Sequence, residues 1–405
     1  MKTTYRAISA TVLFVQCLLL ASCTTPSDAD LMVGHKPAPI RIGNDIVLLA
    51  ESPKYVAADM DGKGLVHIIA SAGKNELLYL QADETGVLLR EPVDFGEPIE
   101  QLHIAADKAG RVHVMANDKH LLRENGKWRQ LEQLRWKRRQ IVATDGGIAG
   151  AFLVDGKEVG APGRWDWYAF GGYGAGLIWP WHTHGSKIVL AYYSKERWYG
   201  WTVLDPELKT DVDFLAIKAD AQNRVHVLYG AGRGGSISTG AATTRLADTS
   251  LRYAKIFMPD TNPPEVNEVT MAKTDTAVIN VSYANNLIPS SGSFAIDPNS
   301  GTGILTIHYP HYDWATFKIR DGNSSPSQPM FNERYEWIDF LLAPAGNENF
   351  YAFCYRPTAL WSWSGKPAAY LTMWDGHEWS APVRLDFFVP GNQMLAANGK
   401  GTAFA

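Results

Sequence analysis

Hydrophobic and polar positions recur in a fixed pattern along this chain. Three segments carry Asp, two residues, Gly or Asn, one residue, and then Val-His with further apolar positions: DGKGLVHIIA from Asp61, DKAGRVHVMA from Asp107 and DAQNRVHVLY from Asp220. Asp with Gly or Asn supplies the geometry of a tight turn, and the period-2 alternation that follows is typical of a β-strand. Each segment therefore predicts a strand, a turn and a second strand.

Hairpin signals continue the repeat. ENGKWRQL (124–131) and WDGHEWSAPVRL (374–385) place Asn-Gly and Asp-Gly between apolar runs. A repeat of roughly 35–70 residues, each a four-stranded antiparallel unit, predicts an all-β fold, a seven- or eight-bladed β-propeller. Strands in 41–51 and 392–405 are expected to close the ring from the two ends. The predicted blades lie near 55–95, 100–135, 139–170, 175–205, 212–258, 265–319 and 336–385.

The N-terminus has the pattern of a secretory signal. Lys2 and Arg6 precede a mostly apolar run that ends in Leu-Ala-Ser-Cys at Cys23, and that run is too short to span a membrane. The tetrapeptide resembles the bacterial lipobox, which implies a signal peptide over 1–22, cleavage before Cys23 and diacylglycerol on its sulfur. Thr24 rather than Asp after the cysteine implies sorting to the outer membrane. An ordinary signal peptide with an incidental cysteine is the alternative.

The rest of the chain is assigned to a tether and one domain. Residues 23–40, rich in Pro, Ser and Asp, are predicted to form a lipidated tether, and 41–405 a single propeller domain. The formal net charge is 38 − 42 = −4, which argues against a nucleic-acid partner. Cys17 leaves with the signal and Cys23 is lipidated, so Cys354 is expected to be an inert core residue. No cofactor and no metal site is predicted.

The repeat resembles a known family. Asp-x-x-Gly-x-Val-His-Val, with a Gly-x-x-Trp hairpin further on, resembles the sialidase-like (BNR-type) propellers, which include sialidases, propeller lectins and some polysaccharide lyases. The resemblance implies the fold and a carbohydrate-related role. The Asp-box of sialidases, Ser-x-Asp-x-Gly-x-x-Trp, is absent from the sequence, which argues against sialidase activity.

Two histidine patterns invite a functional interpretation. His67, His113 and His226 share one position of the repeat, and a position that recurs is typical of packing rather than catalysis. WPWHTHG (179–185) aligns with the Asp107 turn, so it is predicted to be a variant turn between the first two strands of a blade. Its two histidines lack the further protein ligand that a zinc site needs.

A second recurring pattern, a tyrosine at the end of a predicted second strand, suggests the ligand site. Four predicted second strands end in tyrosine, and an arginine follows three of them within four residues; the loop after the last carries two tryptophans. The ligand-binding residues predicted from this pattern are Tyr193, Arg197, Tyr229, Arg233, Tyr355, Arg356, Trp361 and Trp363. Arg suits carboxylate or sulfate, and Tyr and Trp offer flat surfaces to sugar rings. The alternative is that Tyr caps each blade by packing and Arg solvates the rim.

These features predict a binding protein rather than an enzyme. We expect an outer-membrane lipoprotein, on the periplasmic or surface side, whose propeller binds an anionic glycan or an envelope protein. The alternative is a polysaccharide lyase acting on uronic acid polymers, with Tyr193 or Tyr229 as the base and a nearby arginine as the cation. The sequence identifies no catalytic residue. The predicted loops are poor in Asp and Glu, which disfavours a hydrolase.

Overall fold

The structure is a computed structural model of the chain. It describes residues 53–131, 139–145, 147–161, 163–170, 177–194, 196–204, 211–232, 236–239, 242–245, 250–257, 274–279, 291–308, 314–320, 323–327, 330, 339–356, 368–385, 395–397 and 403–404.

The first two blades are four-stranded antiparallel sheets in which consecutive strands pair. Blade 1 consists of β1 (Val56–Met60), β2 (Val66–Ser71), β3 (Glu76–Asp83) and β4 (Gly86–Asp94). Blade 2 consists of β5 (Leu102–Ala106), β6 (Val112–Ala116), β7 (Lys119–Glu124) and β8 (Lys127–Gln130).

The next two blades each contain an inserted hairpin between their second and third strands. Blade 3 begins with β9 (Arg139–Thr144) and β10 (Gly147–Asp155), followed by the 3₁₀ helix Gly156–Val159 and the hairpin of β11 (Arg164–Phe170) and β12 (Leu177–Thr183). It is completed by β13 (Ser186–Ser194) and β14 (Arg197–Val203). Blade 4 begins with β15 (Asp211–Ala219) and β16 (Arg224–Gly232), followed by the hairpin of β17 (Ser236–Thr239) and β18 (Ala242–Arg245). It is completed by β19 (Ser250–Phe257) and β20 (Thr274–Ile279). The two hairpins join through β11 and β17, which pair in parallel.

The last two blades are again continuous. Blade 5 consists of β21 (Ser291–Ile296), β22 (Gly303–His308), β23 (Trp314–Arg320) and β24 (Asn323–Ser327). Blade 6 consists of β25 (Asp339–Gly346), β26 (Asn349–Arg356), β27 (Ala368–Trp374) and β28 (Val383–Leu385). A two-stranded sheet of β29 (Ala396–Ala397) and β30 (Ala403–Phe404) follows.

The prediction of seven or eight blades is wrong, because the described residues form six four-stranded blades. The predicted blades at 139–170 and 175–205 are one blade, in which β10 pairs with β13 across the inserted hairpin. A local pattern of strands and turns does not distinguish a hairpin inserted in a blade from the start of a new blade.

The inner strands form a closed ring. The first strands of the six blades contact one another in chain order, and β29 contacts both β25 and β1. The C-terminal strands therefore lie between blade 6 and blade 1, as expected for ring closure. The segment 41–51, predicted to share that task, lies outside the described residues.

The core consists of one cluster of buried apolar side chains at each interface between neighbouring blades. A further cluster packs Ala396 of β29 against Met60 and Val66 of blade 1. Every residue of β6 is buried, because blades cover that strand on both faces. This explains why the second strands are apolar runs interrupted by a repeated histidine.

The turns between first and second strands lie at one end of the propeller, called here the turn face. Neighbouring turns contact one another from blade 1 to blade 6. These contacts are Gly62 with Lys108, Lys108 with Asp145, the Asp145 N–H with Asn223 Oδ1, the Ala221 N–H with the Pro298 carbonyl, and the Glu348 N–H with Asp297 Oδ2. The turn geometry in the repeat therefore also links the blades.

WPWHTHG lies elsewhere than predicted. It includes the end of β12, the second strand of the hairpin inserted in blade 3, and it pairs with β11. The alignment with the Asp107 turn is wrong because β13, which follows this segment, is the third strand of blade 3 and not a second strand.

Candidate functional site

The recurring histidine is part of a buried hydrogen-bond network in blades 1 and 4. His67 Nε2 lies 3.3 Å from Asp61 Oδ2, and its Nδ1 lies 2.7 Å from the hydroxyl of Tyr79. The same three residue types meet in blade 4, where His226 makes hydrogen bonds to both Asp220 and Tyr253, at 2.9 Å and 2.5 Å. Each network ties a turn to the second and third strands. Both histidines are buried, which agrees with the packing role that their recurrence predicts.

Burial keeps these histidines neutral. Desolvation lowers the pKa of His67 and of His226 below the ordinary value, although the neighbouring Asp in each network acts in the opposite direction. Burial also raises the pKa of Tyr79 to about 12.

Blade 2 departs from this network, because His120 stands where blades 1 and 4 have tyrosine. The indole N–H of Trp198 in blade 3 donates to His120 Nδ1 at 3.1 Å, and His120 Nε2 lies 3.0 Å from His113 Nδ1. Indole can only donate, so His120 carries its proton on Nε2 and donates to His113. His113 then carries its proton on Nε2, 4.0 Å from Asp107 Oδ2. This chain requires both rings to be neutral.

The environment of His113 strongly disfavours a charge. Burial lowers the pKa of His113 to about 3, and the positive charges of Arg111 and Arg129 act in the same direction. His113 has no exposed surface.

Tyr193, one of the residues predicted to bind ligand, packs on this chain. Its ring centroid lies 4.7 Å from that of His120 and 5.4 Å from that of His113. The side chain is 4% exposed, and its hydroxyl has no hydrogen-bond partner among the described residues. Burial is the largest cause of a raised pKa of this phenol. A buried hydroxyl without a partner costs about 1–3 kcal/mol, so its presence calls for an explanation.

Charges of alternating sign act electrostatically on that hydroxyl. Arg111 lies 2.6 Å from Asp107 and 3.9 Å from Glu124, which starts a chain of ion pairs at the turn face. Arg129 continues it, 3.6 Å from Glu124 and 2.8 Å from Glu196. The side chains of Arg111, Glu124 and Arg129 are 38%, 37% and 40% exposed, and that of Glu196 is 67% exposed. Both arginines and both glutamates act electrostatically on the phenol. These four residues with Asp107 and Tyr193 are called here the blade 2–3 cluster.

Three elements of blade 2 and one turn of blade 3 build the cluster. Arg111 precedes β6, Glu124 ends β7, and Arg129 lies in the outer strand β8. Glu196 lies in the turn between β13 and β14, with φ of 68°, a left-handed conformation that favours Gly or Asn. The matching turn of blade 2 has Asn125 and Gly126 in this conformation. Glu196, like Glu348 in blade 6, therefore holds a carboxylate in a backbone conformation that favours Gly or Asn.

The interface between blades 1 and 2 shows the equivalent position with its charge paired. In blade 2, Arg123 pairs across the strands with Trp128, as Tyr193 pairs with Trp198 in blade 3. The Arg123 guanidinium lies 4.9 Å from the ring centroid of Tyr79 and donates to Glu91 at 3.2 Å. Its charge is paired there, whereas the Tyr193 hydroxyl is not paired. The cluster between blades 2 and 3 is thus a local departure from the repeat.

The structure places the described members of the predicted site at two ends of the propeller, with Tyr193 and Arg197 in one hairpin and Tyr229 apart from them. Tyr193 ends a third strand and therefore lies towards the turn face, whereas Tyr229 and Tyr355 lie on second strands that run away from it. Tyr229 is 1% exposed, in the core between blades 3 and 4. Arg197 is exposed and donates to the hydroxyl of Tyr199 at 2.6 Å.

The structure describes no side chain for the remaining predicted residues. The side chains of Tyr355 and Arg356, at the end of β26, lie outside what the structure describes, as do Arg233, Trp361 and Trp363. Their role in ligand binding stays a prediction.

The two histidines of WPWHTHG lie side by side. The rings of His182 and His184 lie 5.1 Å apart, and His184 Nδ1 donates to the Ala161 carbonyl at 2.8 Å. Across the described ranges, no group of three or more His, Cys, Asp or Glu side chains is arranged to hold a metal ion.

Sequence reasoning missed most of the cluster. Arg129 belongs to the cationic stretch 119–139, which is typical of a solvent-exposed blade edge. Arg111 lies inside the repeat itself. The one local signal is Glu196, a glutamate at a two-residue hairpin turn where Gly or Asn is usual.

Comparisons with known proteins reach the fold and no further. No family model matches the sequence, and no curated protein matches it. The fungal lectin of Aleuria aurantia, described as a six-bladed β-propeller with a novel fucose recognition mode, is 12% identical with a TM-score of 0.39, over 87% of this chain and 97% of the lectin. Hydrazine synthase of Kuenenia stuttgartiensis is 10% identical with a TM-score of 0.47, over 89% and 94% of the two chains.

A sialidase is among the similar structures. NanB of Streptococcus pneumoniae, as its K499G mutant, is 10% identical with a TM-score of 0.38, over 92% of this chain and 66% of the sialidase. At these identities and TM-scores the similar structures carry no argument about this chain. Its own ring of four-stranded sheets confirms the predicted propeller, and membership of the sialidase-like family stays a prediction. In the part of the chain that the structure describes, no helix has the length and apolarity to cross a bilayer.

Proposed function

We propose that this chain is a non-catalytic glycan-binding propeller, held at the outer membrane by lipid on Cys23, and that the blade 2–3 cluster is its binding site. The observation that carries the proposal is the Tyr193 hydroxyl, which is buried without a partner among the described residues and is acted on by the charges of half-exposed arginine and glutamate side chains.

The chemistry of the cluster suits sugar hydroxyls. A hydroxyl both donates and accepts, so one hydroxyl can donate to Glu196 while it accepts from Arg129. Hydrogen bonds of this kind to charged groups are about twice as strong as neutral ones. A ligand hydroxyl that reaches the Tyr193 phenol also gives the Tyr193 hydroxyl a partner and removes the cost of its burial.

The lyase alternative gains no support from these residues. A lyase needs a base with access to the substrate, and elimination is easier when the pKa of that base is close to the working pH. Burial raises the pKa of Tyr193, and Tyr229 is 1% exposed. Both observations favour binding over elimination.

The prediction that the glycan is acidic was based on other residues. Arg197, Arg233 and Arg356 are the arginines that suggested it, and of these only Arg197 has a described side chain. An envelope protein as partner rests on the sequence alone.

The test is a glycan-array screen of the mature lipidated chain in detergent. We expect binding that falls at least about tenfold in Arg129→Gln, because a charge-assisted hydrogen bond is lost. Arg320→Gln is the matched control, since Arg320 is also an exposed arginine paired with a glutamate, Glu348, but lies in blade 5 outside the cluster. No glycan binding, or equal losses in both variants, would overturn the proposal.

The membrane anchor needs its own test. Metabolic labelling with radioactive palmitate is expected to mark the wild-type chain and not Cys23→Ser, and fractionation is expected to move the variant out of the outer membrane. Equal labelling or equal membrane association of the two chains would contradict lipidation at Cys23.

A further inference from the structure

We infer that the blade 2–3 cluster selects an uncharged glycan over an acidic one, with Arg129 and Glu196 as the two groups that hold a ligand hydroxyl. This inference rests on the proposed function and names the class of ligand for the same site.

The charges of the cluster are already compensated. Arg111 contacts Asp107 and Glu124, and Arg129 contacts Glu124 and Glu196. Two guanidinium groups thus stand among three carboxylates, and the sum is 2 − 3 = −1. Each cation has a carboxylate on both sides. Within the cluster, neither guanidinium is without a carboxylate partner.

An acidic ligand would meet two penalties in this cluster. Its charge competes with Glu124 and Glu196 for Arg129, and it then lies within a few ångströms of both carboxylates. A sugar hydroxyl avoids both, because it accepts from the guanidinium and donates to the carboxylate without separating the pair. The arrangement of charges therefore discriminates by repulsion of acidic ligands as well as by attraction.

The backbone at Glu196 supports a role for its carboxylate. Its φ of 68° places a glutamate where Gly or Asn would be unstrained, and its side chain is 67% exposed. A half-exposed ion pair adds little to stability, so folding alone does not account for the residue. Ligand binding does account for it, because the turn places the carboxylate 2.8 Å from Arg129.

Comparing the affinities of a neutral glycan and of its oxidised, acidic form tests which class of ligand the cluster selects. The probes are a neutral glycan identified on the array and the same glycan after oxidation of its primary alcohols to carboxylates, each titrated by calorimetry into the mature lipidated chain. We expect the neutral form to bind more tightly, with little dependence on salt. In Glu196→Gln, affinity for the neutral form is expected to fall about tenfold, because a bond to a charged acceptor becomes a neutral one. Affinity for the oxidised form is expected to hold or rise.

Glu91→Gln is the matched control. Glu91 is also a carboxylate paired with an arginine at an interface between blades, but it contacts Arg123 and lies outside the cluster. We expect its affinity for both probes to match the wild type.

Each other outcome is decisive. Tighter binding of the oxidised form to the wild type, or a fall in its affinity in Glu196→Gln as large as that of the neutral form, would overturn this inference while leaving glycan binding intact. Loss of affinity in Glu91→Gln equal to that in Glu196→Gln would also overturn it. If no glycan on the array binds, the proposed function fails as well.

Discussion

Replacing His113 with isoleucine tests the histidine chain beneath the cluster. Isoleucine is the residue that the repeat itself uses at this position: Ile148 in blade 3 and Ile304 in blade 5 pair with the same position of the first strand as His113 does. The substitution therefore removes a titratable group and keeps a residue that this position accepts elsewhere in the propeller.

The expected magnitude follows from the pKa of His113. The fold lowers it to about 3 from the ordinary 6.5, so the folded state favours the neutral ring. The stability that this contributes is fully present above pH 6.5 and is lost as the pH falls towards 3, because only the unfolded chain takes up the proton. At about pH 5 the loss amounts to about 2 kcal/mol.

The assay is urea unfolding of the wild-type and His113→Ile chains at several pH values between neutral and mildly acidic. Asp59 titrates in the same range with the opposite sign, since burial raises its pKa to about 6 and it gains stability as the pH falls. Its contribution, with those of His67 and His226, cancels when the two chains are compared. We expect the wild type to lose about 2 kcal/mol more than the variant down to about pH 5.

The variant is also expected to be less stable at neutral pH, because His120 loses its acceptor. That offset has no bearing on the test, which depends on the slope. Parallel stability profiles for the two chains would refute the reasoning, since they would mean that His113 takes up its proton equally easily in the folded and unfolded states.

Three further predictions concern single side chains. Tyr193→Phe is expected to raise the free energy of unfolding by about 1 kcal/mol, because it removes a buried hydroxyl without a partner, whereas Tyr79→Phe loses the bond at 2.7 Å to histidine and is expected to cost about 1 kcal/mol. Urea unfolding of both variants checks this, and a loss of stability in the first would contradict it. Glu196→Gly is expected to leave stability unchanged or raise it by up to about 1 kcal/mol while glycan binding falls, since strain at φ of 68° is relieved and a half-exposed ion pair is lost. A clearly lower melting temperature would count against it. Cys354 is buried and its pKa is raised by burial, so its thiol is expected to react with alkylating reagents only after denaturation. Rapid alkylation of the native chain, absent in Cys354→Ala, would contradict this.

Some parts of the architecture could be predicted from local sequence. The spacing of Asp, Gly or Asn and Val-His at Asp61, Asp107 and Asp220 identifies a turn followed by a second strand, and the structure has turns and strands at all three. The turn is determined by residues within a few positions of one another, so its signal survives in the sequence. The recurrence of the pattern was sufficient to indicate a propeller.

The number of blades depended on pairing at a distance. The pairing of β10 with β13 crosses a hairpin whose strands have the same local appearance as strands of a blade. Only tertiary structure shows that β13 is a third strand, and this in turn decides that Tyr193 lies towards the turn face rather than beside Tyr229. Period-2 alternation reports that a residue alternates between faces, but it does not report which sheet supplies the neighbour.

The sequence by itself determined the class of fold, the turn chemistry and the buried status of the repeated histidines, because each depends on a few adjacent residues or on recurrence. Tertiary structure alone decided the blade 2–3 cluster. Arg111, Glu124 and Arg129 come from three elements of blade 2, and Glu196 and Tyr193 come from blade 3. Electrostatic interaction depends on distance in space, and packing of one blade against the next creates those distances without any regular spacing along the chain.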